Sequence, residues 1–194
     1  MKLIALGAFA LASTLASAAA AQTPGPTNIT HGAPLAGICA YDNDELLARS
    51  TAGQSVQAGM QRLLQEVQGE MAPYATAIQT EYQQLQQGGQ AADADGSRRR
   101  ALQARAEEAQ QLEQTRQNEL RYTQSVQLQT IGQAAEPIVV ALYQERGCSL
   151  LLNRSAVYSL NPAMDITQDV VQRLNTALPS LSFTRMTVPV QPQQ

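Results

Sequence analysis

Few residues in this chain have types and spacings suited to chemistry: two cysteines, one histidine and one cluster of arginines. Cys39 and Cys148 lie far apart, and the only histidine, His31, sits among glycines and prolines. A nucleophilic cysteine needs a base within reach and a third group to orient that base, and this pattern supplies neither. In a chain whose first residues form an export signal, an even and widely spaced pair reads as one disulfide. The other reading is two small buried apolar residues, since free cysteine is commonly buried. No Ser/His/Asp set, metal-ligand cluster or phosphate-cradling glycine loop is present, and Glu107 and Glu108 fall on a polar helix face. The sequence therefore predicts no enzyme, no cofactor and no metal site. Arg98, Arg99, Arg100 and Arg105 form the one cationic cluster. They fit a solvated helix start, or a tip that touches anionic lipid or acidic polypeptide. Cations at a helix N-terminus oppose the macrodipole, which argues against a purely stabilising role.

The elements that position these residues are polar and thin in aromatics. Hydrophobic residues make up 44% of the 194, but aromatics only 4%, with no Trp. A single wide core is thereby disfavoured. Charged residues reach 15%, below the roughly 25% usual in soluble chains. Glutamine, concentrated between Gln54 and Gln133, supplies the missing polarity and favours helix. The net charge is -3, and Lys2 is the sole lysine, so general affinity for nucleic acid is excluded. Lys2, the apolar Leu3–Leu15 and the small residues Ser17–Ala21 read as a signal peptide over residues 1–21. Its apolar run is too short to span a bilayer. No cysteine follows the cleavage point to accept a lipid. Removal leaves 12 Arg against 16 acidic residues, a charge of -4. The expectation is a soluble periplasmic protein with at most peripheral membrane contact.

Residues 22–36, with Pro24, Gly25, Pro26, Gly32 and Pro34, predict a flexible leader. Gly37–Tyr41 predicts a strand, and Asp42, Asn43 and Asp44 supply caps for a helix beginning near Glu45. Val56, Met60, Leu63, Val67, Met71, Tyr74, Ile78, Tyr82 and Leu85 then follow a stripe that repeats every eleven residues from Met60. That period favours straight or slightly right-handed pairing over a heptad coiled coil. Pro73 predicts a kink or a local break. A turn near 88–97 leads to a second helix, about Ser97 to Gln133, with a sparser stripe interrupted by Arg116. Together these make an antiparallel hairpin over residues 43–135. Gly132 and Pro137 predict a break before a short helix, Ile138–Glu145. Cys148–Leu152, Ala156–Ser159 and Leu181–Val188 predict strands, and Asp165 opens a helix through Val170, Val171 and Leu174. The fold class is α+β: residues 37–42 and 136–188 form a small β body with short helices, into which the hairpin is inserted. Residues 189–194 are a disordered tail.

Cys148–Asn153, Ser155–Tyr158 and Asp165–Thr167 with Val170, Leu174 and Asn175 resemble the OmpH/Skp family of periplasmic chaperones. Gly37–Asp42, Leu46, Leu47, Ser50 and Gly53 resemble it more loosely. The resemblance implies a homotrimer whose hairpins hang like tentacles around a cavity. It further implies ATP-independent holding of unfolded outer-membrane proteins there, and one small sheet shared by the strands that carry Cys39 and Cys148. One protomer's strands are too few to bury a stable core alone, which fits oligomerisation. The family's well-known members are strongly basic and this chain is not. The alternative from the same hairpin is a periplasmic structural or adaptor protein docking onto an envelope complex.

Overall fold

The computed structural model describes residues 29–189. The chain divides into two units, Met1–Thr30 and His31–Gln194, and the elements below all belong to the second. The signal peptide (1–21), residues 22–28 of the leader and residues 190–194 of the tail lie outside the described residues.

The second unit is mostly helical around one pair of parallel strands, an α+β arrangement. Strand β1 (Ile38–Tyr41) pairs with β2 (Leu150–Asn153) in the register Ile38 with Leu150 and Tyr41 with Asn153. Parallel strands need a long crossover, and here the crossover is the whole hairpin. It comprises helices α1 (Asn43–Arg49), α2 (Thr51–Gly88) and α3 (Ser97–Glu145); helix α4 (Thr167–Ala177) follows β2. At 1.5 Å per residue, α2 is about 57 Å long and α3 about 74 Å.

The helix expected to run unbroken from Glu45 is split at Ser50. Asp42 Oδ1 accepts from the amides of Asp44 and Glu45 at 2.9 and 3.0 Å and starts α1. Ser50 is extended, and its Oγ accepts from the Gly53 amide at 3.1 Å, so the serine caps a new helix instead of continuing the old one. Of the kink or local break expected at Pro73, the break does not occur, and α2 continues through it as one helix.

The break expected between Gly132 and Pro137 is also absent, and Ile138–Glu145 is the last part of α3. Ile131, Ala135 and Leu142 lie on one face of α3 and are all buried. Their packing holds the helix together across a proline that costs about 3 kcal/mol in a helix interior.

Two expected strands are corrected. Around Ala156–Ser159 the chain forms a 3-10 turn, Arg154–Ala156, followed by irregular backbone, because Asn153 Oδ1 captures the Ser155 amide at 3.0 Å and ends β2. Leu181–Val188 pairs with no strand; side chains of the hairpin take up its backbone groups instead. Beyond β2, β1 gains only a single bridge between Ala40 and Asp165, where the Ile166 amide donates to the Ala40 carbonyl at 2.9 Å.

Cys39, Leu46, Val56, Ile131, Leu142, Val170 and Leu174 belong to the main core, where the strands, both helical arms and α4 meet. A disulfide joins Cys39 to Cys148 with their Cα atoms 5.8 Å apart. A second cluster, Leu63, Val67 and Leu120, lies further along the arms.

Candidate functional site

The arginine cluster sits at the hairpin tip and is largely occupied in building it. Asp93 Oδ1 accepts the Arg98 amide at 2.8 Å and Oδ2 the Arg99 amide at 3.2 Å, which caps the start of α3. The Arg98 side chain reaches α2, donating to Glu81 at 2.8 Å and Gln84 at 3.0 Å. Arg100 donates to the Asp95 carbonyl at 3.1 Å, and Arg99 approaches Asp93 at 3.5 Å. Asp95 takes the Ser97 amide and hydroxyl, which hold its carboxyl below the usual range. Arg105, one turn further on, is exposed. His31 is exposed as well. Among the described residues no group of three or more His, Cys, Asp or Glu is placed to hold a metal.

The apolar stripe of α2 divides along its length. Val56, Leu63, Val67 and Leu85 are buried in the seam with α3, whereas Met71, Tyr74 and Ile78 are half-buried. Opposite them α3 offers small residues, Ala106 and Ala109, so the larger side chains of α2 are only partly covered. The result is a groove of about 510 Å³ whose walls include Leu64, Met71, Tyr74, Ile78, Ala109 and Leu120. A second groove of about 560 Å³ continues toward the tip past Tyr82, Leu85, Leu102 and Ala106. Leu64 is 47% exposed and Tyr82 56%. One face of the hairpin is therefore an open, mainly apolar trough bordered by Gln86, Gln103, Gln110 and Gln117.

The other side of the seam is covered by the segment Leu178–Met186. At 3.6 residues per turn, its contacts on α2 (Ser55, Gly59, Arg62 and Glu70) stand roughly 150° round from Leu64, Met71, Ala75 and Ile78. Four ion pairs meet on this side. Arg116 of α3 bonds Glu70 of α2 at 2.7 Å and Glu119 at 3.0 Å, while Arg185 bonds the same two acids at 2.7 and 3.1 Å. Hydrogen bonds from Arg185, and secondarily from Arg116, outweigh burial and hold the Glu70 carboxyl below its ordinary range.

Neither the open trough nor the covering segment is identified by the sequence reading. Leu64 beside Leu63 was its one available signal for the trough, a second apolar residue widening a stripe that one partner helix cannot cover. Phe183 and Arg185 carry no periodicity that marks them.

Near the sheet, a groove of about 340 Å³ lies beside Tyr41, Gly132, Ala135, Val139 and Val140. Leu150, on β2, is 48% exposed. Burial, and then the neighbouring Asp42 carboxylate, pushes the Tyr41 hydroxyl up to about 12. Among the described residues no helix is long and apolar enough to cross a membrane.

The described residues form a long helical hairpin inserted between two parallel strands, with an open, mainly apolar trough along one face. The family model for outer membrane protein (OmpH-like) matches residues 37–174, and the chain belongs to that family. The crystal structure of an outer membrane chaperone (OmpH-like) from Caulobacter crescentus is similar at 33% identity with a TM-score of 0.74. The similarity covers 83% of this chain and 96% of that one. Among curated proteins none matches.

Proposed function

We propose that this chain is an ATP-independent periplasmic holdase that keeps unfolded outer-membrane proteins from aggregating, and that it works as a homotrimer. Membership of the OmpH-like family supports the chaperone role. The observation that carries the finer reading is the open, mainly apolar trough from Leu64 to Tyr82, flanked mostly by glutamines with Glu113 and Arg99 among them. Such a surface offers many weak contacts of low specificity, and three arms acting together add avidity. The two-stranded sheet supports association, because β2 carries an exposed Leu150 and a pair of strands is too small to be stable unaided. Contact of the tip with an anionic surface or an acidic client segment would fall first to the exposed Arg105, and then to Arg99, whose pairing with Asp93 is long at 3.5 Å, since Arg98 and Arg100 are held by neighbours in the tip.

The test is light scattering of a urea-denatured outer-membrane barrel protein diluted into buffer, with the mass of the native assembly measured alongside. The expected result is a trimer that suppresses aggregation, with suppression reduced about tenfold or more in Leu64→Glu/Tyr82→Glu at unchanged mass. Inertness toward unfolded clients, with one stable envelope partner recovered instead, would overturn this reading in favour of the adaptor.

A further inference from the structure

The segment after α4 is seated on the hairpin as a bound peptide would be. It has no regular secondary structure, belongs to no sheet, and climbs the base of the arms between α2 and α3. Three of its anchors address its main chain. The Leu181 amide donates to Ser55 Oγ at 2.9 Å, the Phe183 carbonyl accepts from Arg62 at 2.7 Å, and the Met186 amide donates to Thr123 Oγ1 at 2.8 Å. Anchors of this kind hold any extended polypeptide in register, and pockets for alternate side chains then choose among sequences. Two such side-chain sites are present. The Phe183 ring fills a notch at Gly59, where a Cβ would lie 2.5 Å from the ring's Cζ. Arg185, two residues on, bonds Glu70 and Glu119.

The acid pair has a second partner besides Arg185, because Arg116 also bridges Glu70 and Glu119. Two carboxylates against one guanidinium leave the vacated groove one negative charge, which selects for a cation at that point. The Leu63–Val67–Leu120 cluster also holds the arms together beneath the segment.

We propose that this groove is a second polypeptide-binding surface, and that the C-terminal segment is its internal competitor. The partner it fits is an extended, unfolded segment carrying an aromatic residue two positions before an arginine. The identity of that partner as client rests on the holdase reading; the existence of the groove does not.

The test uses the full chain and a fluorescent peptide of residues 178–189. In Phe183→Ala/Arg185→Ala, with helix content checked by circular dichroism, the peptide should bind at least tenfold more tightly than to the wild type, by fluorescence anisotropy. Gly59→Leu added to that background, where the ring no longer competes for space, should abolish binding. A urea-denatured barrel protein should displace the peptide. Should the double variant not fold, Phe183→Ala alone keeps both ion pairs and gives the same comparison. Equal binding to wild type and variant, no binding to a folded variant, or indifference to Gly59→Leu would each overturn the groove, and failure of the client to displace bound peptide would overturn the client as its partner. Aggregation suppression is measured separately: suppression without peptide binding sinks this proposal and leaves the holdase standing. Peptide binding that requires Gly59, without suppression, sinks the holdase and leaves the groove.

Discussion

Gly53 stands at the corner where α1 gives way to α2, and the corner closes only because it has no side chain. A Cβ at that position would lie 1.8 Å from the carbonyl oxygen of Leu47, a backbone atom that cannot swing aside. Gly53→Ala should therefore force the corner open and cost about 2–3 kcal/mol, as overpacking of a closed site does. Urea denaturation would measure it, and a loss within error of zero would refute the packing account. Glu70 sets a second expectation at this scale. Its folded pKa lies below the ordinary 4.5 because of Arg185 and then Arg116. Its contribution to stability is thus fully present above that value and is lost as the pH falls through the lower folded one. The carboxylate is partly exposed, so the effect is modest and weakens with salt. Thermal unfolding followed from pH 6 to pH 3 should show a shallower decline in Glu70→Gln than in the wild type, and parallel declines would remove the ion pairs from the account.

Among the elements, α3 opposes local preference to tertiary packing most plainly. Pro137 has no amide to donate to the Gln133 carbonyl, and its ring crowds the preceding turn. The helix persists because Ile131, Ala135 and Leu142 present one continuous buried face across that point. Pro137→Ala restores a donor and should stabilise the protein by about 1–3 kcal/mol, read from the urea midpoint. Destabilisation would mean instead that the ring packs specifically. The same contest explains what was legible in the sequence. The stripe from Val56 to Leu85 marks an arm because its period repeats locally, and Gly88, Gly89 and Gly96 mark its turn. Ser50 looks like any helical serine until its hydroxyl is seen to cap Gly53. The order of preference at Pro137 is set by core partners in β1, α1 and α4, far away in sequence. Leu181–Val188 alternates as a strand would, but alternation does not reveal whether backbone partners come from a strand or, as here, from Ser55, Arg62 and Thr123. The trough was least legible, since it depends on Ala106 and Ala109 facing larger side chains across the seam.

On the scale of the molecule, the parallel pair, with the single Ala40–Asp165 bridge beside it, joins the two ends of the inserted hairpin by backbone ladder bonds, and the arms between them are the lever. A load on the arms reaches the sheet through α2 and α3, and the ladder of four residue pairs is short. The disulfide lies at the base of that lever, with Cys39 inside β1 and Cys148 two residues before β2, separated by 109 positions. The chain-entropy model assigns a closed loop of about this length nearly 5 kcal/mol, and losing a native bridge typically costs about 2–5 kcal/mol. The arms have a separate apolar cluster at Leu63, Val67 and Leu120, so the tie should protect the body more than the arms. In Cys39→Ala/Cys148→Ala, amide exchange in β1 and β2 should accelerate about 30-fold or more, the equivalent of roughly 2 kcal/mol. Amides in the middle of α2 and α3 should accelerate far less. Non-reducing mass spectrometry of the wild type, produced in an oxidising compartment, should find the two cysteine peptides linked. Uniform acceleration throughout the chain would show body and arms unfolding as one unit. No acceleration, or wild-type thiols that react with a maleimide in the native protein, would return both cysteines to ordinary core packing.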